Sequence, residues 1–569
     1  MNDRSAVKTD ISNKDFFGIA ERPATIGLSV LIALKIILLF ALAYRSRFVM
    51  DEFGQLGYAK YLGNGLFDTV QPAKAVGFTI FCKLANLIGW DAASIMIVGR
   101  FQMALLACAT IAMIYACAHA LGQDRPRALA IVLILLCFSN VMERIFRTIS
   151  EPLALFFAVE ALLVVISGNS ASARRIVFAG ILSGLAFLTT QKSIYFNVAL
   201  GMGLLVNAFI ARQYGAGIKR GAALVLGWIV PIAAYCVVFG GADPLPIVRG
   251  LIFGPVEVAS RGGVEYGGLR RFVLQTLVHN AILYAFCFGG IVLGLLRIGA
   301  LEERQRIALT FTAVITALVF VHDQPWPYVF IMALPFMALW SLGVLDRNAA
   351  DALPMRFARA LLVIAGAISY ISNVLYLRID NPAQLALIAR AEAMVEPAEF
   401  YFDGIGMLPN RPEPSTLWLD QYYILKTLHE GSESEAYKIL SNTPPKVIIW
   451  SYRMDMIDPV IAPLIRDSYV QIAPNIRMAG RRLRSGRPDV FKVPVPGRYN
   501  LYTTNGQPAD GKVEINGTPR SLPLSLEAGV SDVVLRSGPA EALLLPEGDY
   551  ENLIVAGEDN AELFRGVYN

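Results

Sequence analysis

Two adjacent carboxylates, Asp51 and Glu52, follow the first long apolar segment directly, in the run Arg47-Phe-Val-Met-Asp51-Glu52-Phe-Gly-Gln-Leu-Gly-Tyr-Ala-Lys60. A carboxylate placed where a chain leaves a membrane can take the proton of an attacking hydroxyl. Asp51 is the first candidate for that base. Glu52 is the second, or orients the hydroxyl-bearing partner. Acid pairs in loops commonly do no more than solvate them. The feature that argues for chemistry is company: several basic and polar residues fall at the same membrane face.

Those residues are Arg100, Glu143, Arg144, Arg147, Glu151, Gln191, Lys192, His322 and Asp323. A phosphate at a membrane surface is best met by Arg or Lys, whose charge-assisted hydrogen bonds are strong. Arg144, Arg147, Lys192 and Lys74 are the candidates for that role, with Lys60 in addition. Glu151, Gln191, His322, Asp323 and Tyr328 are candidates for contacting the rest of a substrate. The plain alternative for an interfacial Arg is snorkelling to head groups, which suits Arg100 best. For His322-Asp323-Gln-Pro-Trp-Pro-Tyr328 it is an aromatic belt.

The elements that must position these groups are membrane spans. The chain has 569 residues, 55% hydrophobic and 17% charged, too apolar for an ordinary soluble protein. About eleven apolar segments recur at span length, near 25–44, 92–121, 127–142, 150–167, 175–190, 193–211, 220–240, 272–296, 305–322, 325–345 and 357–377. With the N-terminus inside, short inner loops hold most of the Arg and Lys, whereas the short outer loops carry Arg144, Arg147 and Lys192. The odd count then places Asp51, Glu52 and residues 380–569 outside. The first segment lacks a small-residue cleavage site and reads as an anchor.

The net charge of +5 is small and follows from topology, which argues against a nucleic-acid partner. The six cysteines show no metal-ligand spacing. No D-x-D motif lies near the acid pair, so no cofactor is expected and an essential metal is disfavoured, a divalent ion staying open as an alternative. Within the loop 45–91, Phe53, Leu56, Ala59 and Leu62 suit a helix on a membrane surface, and a second interfacial helix is expected near Val76–Ile88. Lys35 and Glu160 fall at similar depth inside the first and fourth spans, and an unpaired charge there is expensive, so the two are expected to pair.

After Asn381-Pro382 the composition becomes that of a soluble protein. Helices are expected at Leu417–Leu428 and Ser434–Leu440, and a buried strand at Val447–Trp450. Farther on, short strands such as Gly497–Tyr502 and a hairpin at Asn516-Gly517 read as a β-sandwich-like module. Phe400–Leu408 and Tyr452-Arg453-Met-Asp455 are read as structural or acceptor-binding. The expected fold class is thus a polytopic α-helical membrane protein, residues 1–379, followed by an extracytoplasmic α/β domain, 380–487, and a β-rich module, 488–569.

An acid pair after the first span, with this layout of spans over roughly residues 25–345, resembles the GT-C glycosyltransferases, which include the protein O-mannosyltransferases and the aminoarabinose transferases of lipid A. The resemblance implies a polyprenyl-phosphate sugar as donor and a lipid-linked, polysaccharide or protein acceptor in the cell envelope. It also implies a multi-pass enzyme of the inner membrane. In that family a second outer loop often brings a basic residue and a further acid to the site. Here the acid is Glu151 rather than an aspartate. Gln71-Pro72-Ala73-Lys74 is loosely similar to a basic-Pro-Pro segment of some relatives. One base and direct displacement imply inversion at the anomeric carbon. The competing readings are a transporter or flippase of a lipid-linked sugar, and a non-catalytic assembly or sugar-binding factor. Surface acids, a large outer domain and no evident internal repeat argue against a transporter.

Overall fold

A computed structural model describes residues 21–62, 75–168, 172–241, 243–254, 269–345 and 352–565. The chain divides into two compact units. One comprises Met1–Tyr44, Phe101–Ile252 and Tyr266–Arg378, the other Arg45–Arg100, Phe253–Glu265 and Ile379–Asn569.

The first unit is helical. Among the described residues, six helices are long and apolar enough to cross a membrane: Arg22–Arg45, Ala92–Ala120, Gln191–Ile210, Tyr214–Gly240, Glu303–Val321 and Arg356–Tyr376. Arg270–His279 and Ala281–Leu295 make a seventh if counted together, bent by 94°. At the bend, the Asn280 side chain donates to Thr276 O at 3.1 Å and accepts from Ser139 N at 3.0 Å, tying the corner to the Ser139 segment.

The expectation of about eleven spans is therefore not met by this measure, for two physical reasons. Three of the expected segments form shorter helices, Arg125–Cys137 of 13 residues and Ser150–Ile166 and Ala173–Thr189 of 17 residues. At 1.5 Å per residue the longer two reach only about 26 Å. The segment 325–345 is broken into Phe330–Met332, Leu334–Ala338 and Ser341–Leu345. Pro325, Pro327 and Pro335 remove donors that a continuous helix needs.

The expected Lys35–Glu160 pair does not form. Lys35 Nζ donates to Ser369 Oγ at 2.8 Å and Asn373 Oδ1 at 2.7 Å, and stands 4.3 Å from the centre of the Tyr370 ring. Equal depth fixes height in a bundle but not the side of the bundle a residue faces. Ala352–Tyr376, not the Ser150–Ile166 helix, lies against Lys35. Close packing elsewhere rests on glycine: a Cβ on Gly227 would meet Val177 O at 2.0 Å.

Among the described residues, the second unit has helices Met50–Ala59 and Gly77–Ile88 near its start. They are tied by Asn86 Nδ2 to Leu56 O at 3.2 Å and Lys83 Nζ to Ala59 O at 3.3 Å. The apolar stripe expected on a membrane surface is buried in protein instead: Phe53, Leu56 and Ala59 are fully enclosed. Phe53 packs on Phe48 and Phe564, each with ring centres 5.7 Å apart.

The remainder of this unit is an α/β layer and a sandwich. Strands β1 (Tyr401–Phe402), β2 (Val447–Ile449), β3 (Tyr469–Ala473) and β4 (Ile476–Ala479) form a sheet in the order β1-β2-β4-β3, with β1 and β2 parallel. Helices Gln421–Glu430, Glu435–Asn442 and Tyr452–Ser468 contribute to its apolar core, in which Ile424, Leu440, Ile457 and Ile461 join Ile448 and Trp450.

Strands β5 (Arg481–Arg484), β6 (Pro488–Val493), β7 (Gly497–Tyr502), β8 (Lys512–Ile515), β9 (Thr518–Arg520), β10 (Leu524–Leu526), β11 (Gly529–Ser537) and β12 (Glu541–Pro546) follow. They make two four-stranded sheets, β10-β7-β12-β5 and β6-β11-β8-β9. Alternate residues of both, among them Leu483, Leu501, Leu544, Phe491, Val513 and Val533, form one core. Asn516 and Gly517 turn between β8 and β9 with φ of 50° and 76°, as the hairpin signal required.

Candidate functional site

The acid pair opens the Met50–Ala59 helix, with Asp51 and Glu52 in its first turn. Carboxylates are stabilised there by the positive end of the helix. Glu52 reaches back to the helix start, its Oε1 accepting from Val49 N at 3.0 Å. It is fully buried and meets Arg100 in two parallel bonds: Nε donates to Oε2 and Nη2 to Oε1, both at 2.7 Å. Arg100 also donates to Ser46 O and Arg47 O, and its guanidinium lies 3.8 Å from the Phe48 ring centre. Every part of this pair is satisfied, as burial of two charges demands. Asp51 is half-buried. Its charge is felt by the Tyr452 hydroxyl, which burial holds above the ordinary tyrosine range.

The other end of this helix is fixed by the loop after β1. Asp403 is buried and accepts from Ile405 N, Gly406 N and Met407 N, each at 2.7 Å. Gly404 and Gly406 supply the positive φ values, 73° and 80°, that fold this nest of N–H groups around the carboxylate. Gly57 lies against Gly406, whose O is 3.3 Å from where a Cβ would stand. Lys60 then bonds Arg411 O at 2.7 Å and Glu413 Oε2 at 3.2 Å. Burial pushes Glu413 up to about 7, against the pull of Lys60. Lys60 is thus engaged within this unit rather than held out for a phosphate. Lys74 lies outside the described residues.

In the first unit, several other candidates come together. Lys192 Nζ donates to Glu151 Oε1 at 2.8 Å and stands 4.9 Å from the centre of the Tyr328 ring. Lys192 sits in the short turn Gln191–Ser193 between two helices, and Glu151 in the first turn of Ser150–Ile166. His322, at the end of Glu303–Val321, shares a 2.9 Å hydrogen bond between Nδ1 and the Tyr195 hydroxyl. Burial and then the Lys192 charge push His322 down to about 4, while Asp323 and Glu151 draw it the other way. Lys192, Glu151, Tyr328, His322 and Asp323 are therefore one electrostatic cluster, next to Gln191.

Arg144 and Arg147 are both buried, which excludes simple snorkelling. Arg144 lies 4.0 Å from Glu143, and Arg147 donates to Glu143 O and the Tyr376 hydroxyl, each at 2.9 Å. Burial raises Glu143 above the usual carboxylate range, with Arg144, Arg147 and His279 pulling it back. Among the described residues, no group of three or more His, Cys, Asp and Glu is gathered as for a metal ion.

Sequence reasoning missed three residues. Arg100 was expected to snorkel, because its partner lies 48 positions away and no pattern links them. Tyr195 carried no signal beyond its place three residues after Lys192. Asp403 could have been found from Asp403-Gly-Ile-Gly406, since an acid followed by two alternating glycines is a turn signature.

Residues 425–478 match the model of a family described as Domain of unknown function (DUF7056), and residues 481–546 one described as Domain of unknown function (DUF7055). No curated protein matches the sequence. Among solved structures, ArnT from Cupriavidus metallidurans bound to undecaprenyl phosphate is similar with a TM-score of 0.57 and 15% identity, over 80% of this chain and 98% of that one. The same protein in its apo state gives 0.52 and 13% over the same shares. The oligosaccharyltransferase AglB from Archaeoglobus fulgidus, in complex with an inhibitory peptide and a dolichol-phosphate, gives 0.48 and 12%, over 84% and 73%. At such identities the likeness is one of fold alone: this chain shares the overall fold of the Cupriavidus metallidurans ArnT structures.

Proposed function

We propose that this chain is a multi-pass glycosyltransferase of the inner membrane. It moves a monosaccharide from a polyprenyl-phosphate donor to a hydroxyl of an envelope acceptor (lipid A, a polysaccharide or a protein). The observation that carries the reading is the division of labour in the acid pair. Both oxygens of Glu52 are taken up by Arg100, so Glu52 holds the helix start, and its half-buried neighbour Asp51 is assigned the role of base. The likeness in fold to a structure holding undecaprenyl phosphate supports the donor class.

In this reaction the acceptor oxygen forms a bond to the anomeric carbon as the bond from that carbon to the phosphate oxygen breaks. The hydroxyl proton passes to Asp51, and polyprenyl phosphate leaves as an anion. Lys192, with Arg144, Arg147 and Lys74, neutralises that phosphate, while Gln191, Glu151, His322, Asp323 and Tyr328 shape its surroundings. A single displacement inverts the anomeric configuration. The N-terminus lies in the cytoplasm and residues 380–569 on the outer side.

The test is transfer from labelled polyprenyl-phosphate sugars to envelope extract in membranes, wild type beside Asp51→Asn. The substitution keeps shape and removes basicity. A loss of about a hundredfold or more in an equally abundant, folded variant supports the base. Full transfer by the variant removes Asp51 from the chemistry. No transfer by wild type, with uptake or release of the lipid-linked sugar across the bilayer, turns the reading to a transporter.

A further inference from the structure

Arg453 stands beside the acid pair with an unusual set of partners. Its Nε and Nη2 donate to the sulfur of Met50, at 3.3 and 3.0 Å. The Tyr452 hydroxyl donates to the same sulfur. A thioether is a weak acceptor, whereas a guanidinium matches carboxylate or phosphate oxygens in two parallel bonds. Among the described residues, no carboxylate lies within ion-pairing distance of Arg453. It also meets Tyr452, through a side-chain hydrogen bond and with the ring centre 4.9 Å from the guanidinium carbon. Three donors thus converge on one soft, movable side chain. Met50 is the residue immediately before Asp51, on an unbranched side chain able to swing aside.

We infer that Tyr452 and Arg453 form an oxyanion subsite beside Asp51, covered by Met50, that receives a carboxylate or phosphate of the acceptor. The assignment rests on Asp51 being the base, and the reaction geometry then decides which substrate is bound. In a direct displacement, the acceptor oxygen and the leaving phosphate lie on opposite sides of the anomeric carbon. A group one residue from the base is on the acceptor's side. The donor phosphate belongs to the other side, so the anion held here is carried by the acceptor. The positive charge of Arg453 also offsets the repulsion that an anionic acceptor would meet from Asp51. The acceptor class is therefore an acidic saccharide or a phosphorylated glycan, with its charged group close to the reacting hydroxyl. Arg453 and Tyr452 bind and orient that group and leave proton transfer to Asp51.

The experiment uses the purified full chain in detergent and two readouts. First, thermal unfolding is followed with inorganic phosphate, glucuronate or glucose. Phosphate and glucuronate raise the Tm of wild type and of Met50→Leu, glucose does not, and Arg453→Gln abolishes the rise while Arg453→Lys keeps part of it. Second, envelope glycans are separated into acidic and neutral pools. Transfer goes to the acidic pool, and Arg453→Gln raises the KM for that pool about tenfold or more, with the KM for the donor unchanged. Response to phosphate but not glucuronate, or the reverse, tells which anion the site takes. An anion-dependent Tm rise without transfer to either pool keeps the subsite and overturns the glycosyltransferase reading. Equal transfer to the neutral pool by wild type and Arg453→Gln, or a Met50→Leu protein whose lowered Tm no anion restores, overturns the subsite itself.

Discussion

Glu52 and Arg100 meet through two parallel hydrogen bonds of 2.7 Å, both side chains wholly shielded from solvent. Removing one partner leaves the other charged and buried. Glu52→Ala or Arg100→Ala is expected to cost about 3–5 kcal/mol of stability. The double variant Glu52→Leu/Arg100→Met, apolar on both sides, is expected to recover much of that loss. Denaturation of the purified protein checks the order: either single variant as stable as wild type contradicts the pair.

Lys192 is held by Glu151 at 2.8 Å, so under the proposed function a donor phosphate has to compete with that carboxylate. Lys192→Met is expected to raise the KM for the donor about tenfold, since a charge-assisted contact is lost. Glu151→Gln is expected to lower it, because the ammonium is no longer neutralised. Transfer assays at varied donor concentration read both. A Glu151→Gln enzyme with weaker donor binding would show that Glu151 places Lys192 rather than restrains it.

Glu413 makes stability depend on pH. Its carboxyl is raised from 4.5 to about 7 by burial. The unfolded chain loses this proton first, so between those values the folded state holds more protons and unfolding becomes easier as pH rises. The contribution is complete below about 4.5 and is lost as pH passes 7. Glu413→Gln, which cannot ionise, is expected to flatten the Tm profile between pH 5 and about 8. An unchanged slope in the variant assigns the dependence to another group.

His322 shifts the opposite way, down to about 4. It is therefore expected to stay neutral at pH 5.5, about one unit below the ordinary midpoint of a histidine. The protein has four histidines, so labelled-imidazole NMR with a His322→Gln comparison identifies its signal. Tyr195→Phe removes the hydroxyl on Nδ1 and is expected to change the ring's tautomer balance. A His322 signal that titrates near 6.5 contradicts the buried, Lys192-facing environment.

The sequence by itself determined whatever is local or repetitive. Apolar runs of span length marked the membrane half, because a helix is the structure whose backbone bonds are all satisfied within one segment. Short strands between turns and the Asn516-Gly517 signal marked the β-rich module, because a strand and a hairpin turn each act over a few residues. The acid pair, Lys192, Glu151 and His322 stood out because charge beside an apolar run is costly and rarely accidental.

Only the tertiary structure decided which charges meet. Lys35 chose Ser369 and Asn373 rather than Glu160, since depth says nothing of direction around a helix bundle. Arg100 reached back to Glu52, and Arg453 to Met50 across 403 positions. The broken segment 325–345 was also hidden, because its composition is that of a span and its prolines act only through the backbone bonds they withhold. Pairings between distant residues are set by how faces pack, and a linear pattern carries each face without naming its partner.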